Sequence, residues 1–141
     1  MTTICNAIKI TDNYFVSQAQ YHVVIDNSNF DCKVEGNYFT NVALVSVQTA
    51  TRSSIKNNFG YVTENSGTAT VLNTTTSIVV THGLSYTPSL QHIMVLGAEN
   101  PTTAVGTIWV TTITSTQFTI NVENDPGASN FDMVWHVART P

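Results

Sequence analysis

The chain has 141 residues, 42% of them hydrophobic and only 10% charged, with a formal net charge of −4. Its polarity comes from Thr, Ser and Asn, a balance that suits strands better than solvated helices. Five scattered Lys and Arg make no basic stripe to neutralise phosphates, and no run of 18 apolar residues occurs, so neither nucleic acid nor membrane insertion is expected.

The N-terminal Met1-Thr2-Thr3-Ile4-Cys5 lacks the charged and apolar regions of a signal peptide. Beyond it the chain repeats itself. Ile8-Lys9-Ile10-Thr11-Asp12-Asn13-Tyr14-Phe15 aligns with Cys32-Lys33-Val34-Glu35-Gly36-Asn37-Tyr38-Phe39, and that copy with Ser53-Ser54-Ile55-Lys56-Asn57-Asn58-Phe59. The spacings are 24 and 21 residues, a period that means stacked units. A second echo pairs Val23-Val24-Ile25 with Val45-Ser46-Val47, each alternating as strand residues do.

A unit of two or three short strands cannot bury its apolar face alone, so the copies must stack with like residues in register. Asn13, Asn37 and Asn58 would form a structural ladder at one turn, where an amide can bond the turn backbone and the Asn above while tolerating left-handed dihedrals. Phe15, Phe39 and Phe59 would stack inside. The pattern resembles the pectate-lyase type of right-handed parallel β-helix over residues 4–60. Cys5 and Cys32 fall at apolar positions without CxxC or Cys/His spacing and read as buried thiols, with a disulfide as the alternative.

Residues 61–67 break the repeat and read as a connector. Six strands are then expected, at Thr68–Leu72, Ser77–His82, His92–Leu96, Thr107–Ile113, Gln117–Glu123 and Asp132–Ala138, separated by Asn, Gly and Pro turn signals. Short connections without a helical period favour an antiparallel β-sandwich over 68–141. Period-2 alternation points Ile78, Val80, Ile93, Val95, Ile108, Val110, Phe118, Ile120, Val122, Met133, Trp135 and Val137 inward. The fold class expected is thus all-β: the last rungs of a right-handed parallel β-helix (1–60) followed by a six-stranded antiparallel β-sandwich.

The stretch Thr76-Ser77-Ile78-Val79-Val80-Thr81-His82-Gly83-Leu84, with Tyr86-Thr87-Pro88 and the closing Trp135-His136-Val137-Ala138-Arg139, is similar to C-terminal domains of phage tail spikes. The layout of strand, Pro, apolar strand, the hairpin Ile113-Thr114-Ser115-Thr116-Gln117-Phe118-Thr119-Ile120 and the closing strand with Trp135, Val137 and Ala138 also resembles, more weakly, H-type lectin sandwiches. The resemblance implies a homotrimer in a virion, assembled in the host cytoplasm, in which the sandwich caps the shaft and is placed to contact host cell-surface polysaccharide. The rungs begin almost at Met1 without a cap, so the sequence reads as the C-terminal piece of something longer, with any polysaccharide-cleaving site upstream.

No catalytic, metal or cofactor residues are expected in this chain. Asp12, Asp26, Asp31 and Glu35 are the only carboxylates on the rungs and form no repeated pair of the kind a glycosidase needs. His22, His82, His92 and His136 lack metal-ligand spacing, though His82 or His136 could meet its copies on a threefold axis. For sugar contact Tyr86, beside Pro88, and Trp109 are the candidate platforms, whereas Trp135 reads as core. The expected function is a non-catalytic, trimerising tip. The alternatives are a lectin-like carbohydrate-binding module, a fragment of a polysaccharide-degrading spike enzyme, and an assembly chaperone that cuts itself away.

Overall fold

The computed structural model describes residues 7–16, 23–25, 31–40, 45–47, 53–98 and 101–139, so Cys5, His22 and Asp26 lie outside the described residues. The protein is all-β. It divides into two compact units, Met1–Thr63 with Arg139–Pro141, and Glu64–Ala138.

In the first unit the first two copies of the repeat each contribute three short strands, and the third contributes one among the described residues. These are β1 (Lys9–Thr11), β2 (Tyr14–Phe15), β3 (Val23–Ile25), β4 (Lys33–Glu35), β5 (Tyr38–Phe39), β6 (Val45–Val47) and β7 (Ser54–Lys56). All pairing between copies is parallel. Lys9, Lys33 and Ser54 stand in line in the sheet β1-β4-β7, Tyr14 pairs Tyr38 in β2-β5, and Val23 pairs Val45 in β3-β6. The register reproduces the 24- and 21-residue spacings because any slip by one residue would turn the apolar face outward. Val23, Ile25, Cys32, Val34, Phe39, Ile55 and Tyr61 form the core, with Ile10 and Phe15 packed against it.

Phe59 corrects the expected inner stack. It follows Asn58 directly, as Tyr14 follows Asn13 and Tyr38 follows Asn37, so it takes the outward position of the pleat. Tyr14, Tyr38 and Phe59 stack on the outside with centroids 4.7 and 4.4 Å apart, and Phe59 is 63% exposed. Inside, Phe15 stacks on Phe39 at 4.9 Å, and Tyr61 closes the column edge-on at 6.5 Å. Gly60 makes that closure possible. Its φ is +79°, and a Cβ there would meet the Phe39 carbonyl oxygen at 2.2 Å, so only glycine lets the chain fold back to bridge Tyr61 with Asn58.

The second unit holds β8 (Glu64–Val71), β9 (Ser77–Thr81), a 3-10 turn (Leu90–His92), β10 (Ile93–Gly97), β11 (Ile108–Thr111), β12 (Gln117–Val122) and β13 (Phe131–Ala138). They make two three-stranded antiparallel sheets, β10-β13-β8 and β11-β12-β9. All twelve residues expected to point inward pack in a single core to which both sheets contribute, joined by Ala69, Val71, Leu84, Val105 and Phe131.

The expected connector is shorter than its composition suggests. Glu64, Asn65, Ser66 and Gly67 are strand residues of β8, paired with Ala138, Val137, His136 and Trp135, because a full-length partner strand outweighs their weak β-propensity. Gly67 has a packing reason: a Cβ there would lie 2.9 Å from the Trp135 ring. At the other end of the expectation, β11 stops at Thr111 instead of Ile113, since Thr112 takes φ +50° and ends the pleat.

Candidate functional site: the open side between β10 and β11

The asparagine ladder is present as expected and is structural. The Asn13 N–H and Nδ2 both donate to Asn37 Oδ1 (3.0 and 3.1 Å), and the Asn37 N–H and Nδ2 both donate to Asn58 Oδ1 at the same distances. Asn37 Nδ2 also reaches the carbonyls of Ile10 and Glu35, and Asn58 Nδ2 that of Val34. Left-handed dihedrals fall one residue earlier than expected, at Asp12, Gly36 and Asn57 (φ 58°, 65° and 55°), so the ladder amides themselves stay in ordinary conformations.

Of the four carboxylates expected on the rungs, Asp26 lies outside the described residues. Asp12 and Glu35 line one shallow cleft with Lys9 and Lys33, and Glu35 is held by Lys33 Nζ at 2.8 Å and Lys56 Nζ at 3.7 Å. The hydrogen bond from Lys33 lowers its pKa, aided by the charges of Lys33 and Lys56 and opposed by burial. A general acid of a glycosidase needs the opposite shift. At the end of the column burial pushes the Tyr61 phenol up, with the Arg139 charge opposing.

His82 is a core residue. It is fully buried, stacked on Phe118, with Nδ1 accepting the Leu84 N–H at 3.0 Å and Nε2 3.1 Å from the Thr114 carbonyl. The Leu84 bond fixes the tautomer, leaving the proton on Nε2 to donate to Thr114. Both ring nitrogens are thereby used inside the unit. Among the described residues no cluster of His, Cys, Asp and Glu could hold a metal ion, and no helix is long and apolar enough to cross a membrane.

Tyr86 is not the exposed platform its turn position suggested. It packs against the core and meets His92 edge-on at 6.0 Å. Trp135 is core, buried and edge-on to Phe118, with its indole N–H donating to the Thr68 carbonyl at 3.3 Å. Trp109 is different. It is 42% exposed on β11, opposite Asn121 of β12, and lines a cleft of about 330 Å3 with Leu90, Ile93, Val95, Ile108 and Val110.

That cleft is where β10 and β11, the end strands of their sheets, leave the core incompletely covered. Ile93, Val95, Ile108 and Val110 point inward yet remain only half-buried. No family model, curated protein or solved structure matches the chain. The opposite open side, between β8 and β9, is lined by Thr68, Thr70 and Thr81 beside Ile78 and Val79 and is correspondingly more polar.

Charge separates the two units as well. Every Lys and Arg of the chain lies outside 64–138, while Glu64, Glu99, Glu123, Asp125 and Asp132 lie within it. None of the described residues that line the cleft is charged. Two features were not among the expectations: the outer Tyr14-Tyr38-Phe59 stack and the apolar character of both faces of β10. The first was legible in the shared Asn-aromatic order of the three copies, the second in the unbroken run Ile93-Met94-Val95-Leu96.

Proposed function

We propose that this chain is a non-catalytic, self-associating tip of a viral tail spike or fibre, with the first unit as the last rungs of a right-handed β-helix and the second as a β-sandwich that caps and assembles them. The observation that carries the reading is the Asn13-Asn37-Asn58 ladder, set in parallel strands whose register repeats at 24 and 21 residues. Amides bonded from one copy to the next suit repeats stacked directly on their neighbours, as the rungs of a shaft would be.

Three copies about an axis is the assembly the tail-spike resemblance implies, and the charge-poor surface supports association without ionic steering. In this reading the protein belongs to the virion, needs no cofactor, and stands where it can meet host cell-surface polysaccharide. A lectin-like role is the second reading, favoured by the exposed Trp109 ring with Asn121, whose Nδ2 donates to the Thr111 hydroxyl at 2.9 Å. An aromatic plate ringed by amide and hydroxyl groups is the chemistry that holds a pyranose.

Native mass spectrometry tests the proposal. The expected spectrum holds a species of three chains, about 46 kDa from three times 15.4 kDa, which dissociates to uncut chains. A chain cleaved on its own would instead support the self-cutting chaperone, and release of oligosaccharides from capsule or lipopolysaccharide would establish an enzyme.

A further inference from the structure

β10 reads Ile93-Met94-Val95-Leu96-Gly97, with four apolar side chains in a row. A strand with one face on a core and the other in water alternates, as β12 does by turning Phe118, Ile120 and Val122 inward and Gln117, Thr119 and Asn121 outward. Apolar residues on both faces are the pattern of a strand covered on both. Yet no residue of β10 is buried: Met94 is 60% and Leu96 65% exposed, and Ile93 and Val95 are half-buried.

The surface continues on either side. On the outer face Leu96 stands opposite Val134, itself 42% exposed, and Met94 opposite His136. Around the edge, the cleft brings in Leu90 and Trp109. The backbone of β10 pairs with β13 on one side and with no strand on the other among the described residues. Nothing that ordinarily blunts such an edge is present in it: no charge, no proline, no bulge.

We propose that β10 and the cleft beside it form the surface through which copies of this chain meet, so that β10 is an interior strand of the assembly. The inference rests on the association proposed above and assigns its place. The occupant is a second copy for three reasons. First, the unit 64–138 carries five acidic residues and no Lys or Arg, so the uncharged strip of β10 and its cleft is where two such units can meet without setting acid against acid. A basic partner would be drawn to the acids and not to this strip.

Second, the exposed parts of Leu90, Met94, Leu96, Trp109 and Val134 present apolar area on the order of 500 Å2, the greater part of the roughly 800 Å2 that each partner buries in a stable interface. Third, a free apolar edge invites open-ended stacking, and closed rotational symmetry between copies is the arrangement that uses every such edge and leaves none over.

Sedimentation velocity of the full chain at 10 µM, roughly the range in which such interfaces hold, tests this with Met94→Glu and Leu96→Lys. Both sites are mostly exposed, so the fold should survive; far-UV circular dichroism checks it. Val79→Lys, 53% exposed on the outer face of the other sheet, is the comparison. The wild type and V79K should sediment as an assembly, and M94E and L96K as monomers, with association weakened at least about 100-fold.

Full assembly of M94E and L96K overturns the inference while leaving self-association standing. A wild type that is monomeric throughout overturns both. Should either variant fail to fold, hydrogen exchange on the wild type decides: β10 amides should exchange more slowly at 100 µM than at 1 µM, roughly either side of the expected dissociation range, and concentration-independent exchange rejects the proposal. Retention of a sugar lost in Trp109→Ala, with sedimentation unchanged, would show the cleft to be a glycan site instead.

Discussion

Asn37 has a neighbour above and below, and Asn13 has one described neighbour. Truncating Asn37 leaves the carbonyls of Ile10 and Glu35, the Asn13 amide groups and Asn58 Oδ1 short of partners in a site that is 1% exposed. Asn37→Ala should therefore cost about 3 kcal/mol in urea unfolding, and Asn13→Ala less than about 1. His82→Ala should cost about 2–4 kcal/mol, since it leaves the Leu84 N–H and Thr114 carbonyl unmet and opens a cavity beside Phe118. Both tryptophans lie in the second unit, so Trp emission follows the His82 variant directly. Glu35 adds a pH dependence to the first unit. Its pKa is lower folded than the ordinary 4.5, so its contribution is present above that value and fades as pH falls through the lowered one. Glu35→Gln should lower stability at neutral pH, and its difference from the wild type should vanish as pH falls through the lowered value, flattening the acid limb of a stability-pH profile.

The elements show where the pleat decides between residues of the same type. Phe39 sits in the inner column at 2% exposure and Phe59 in the outer one at 63%, although both end the same motif. Phe39→Ala should destabilise by about 3–5 kcal/mol and Phe59→Ala by less than about 1, measured by chemical unfolding followed through tyrosine near-UV dichroism. Equal costs would contradict the two-column arrangement. Gly60→Ala should cost at least about 2 kcal/mol, because the chain cannot turn back over Phe39 with a Cβ in that place. Legibility followed the same physics. The twelve inward residues of the second unit were readable because period-2 alternation is enforced by one core. The ladder was readable because Asn repeats at the repeat's own spacing. Phe59 was misread because its copy lacks one residue of the Asn-Tyr-Phe run, and a one-residue offset inverts a face. The start of β8 was misread because Glu64-Asn65-Ser66-Gly67 resembles a turn locally, and only pairing with β13 makes it a strand.

For the whole molecule, the two units differ in how they satisfy their strands. The first stacks parallel copies on a row of amides and aromatics, and Glu35 pairs with Lys33 on its own strand and with Lys56 on the next. The second closes a core between two antiparallel sheets but leaves one side apolar and open, with Trp109 and Leu90 at the cleft and an apolar strand at the edge. The Trp109 ring was readable as a candidate contact from sequence; the cleft it lines was not, because β10 and β11 are end strands of two different sheets, an order the strand pattern does not state. Removing the acids of the second unit, for instance Glu123→Gln, should leave association unchanged at 150 mM salt, since the contact surface is uncharged; a strong salt dependence would argue for an ionic interface. The central claim is that this chain works as an assembly, and multi-angle light scattering at micromolar concentration tests it most directly. The account predicts a mass near 46 kDa, three times 15.4 kDa, held on dilution to the low micromolar range, whereas a single-chain mass of 15.4 kDa at every concentration would contradict it.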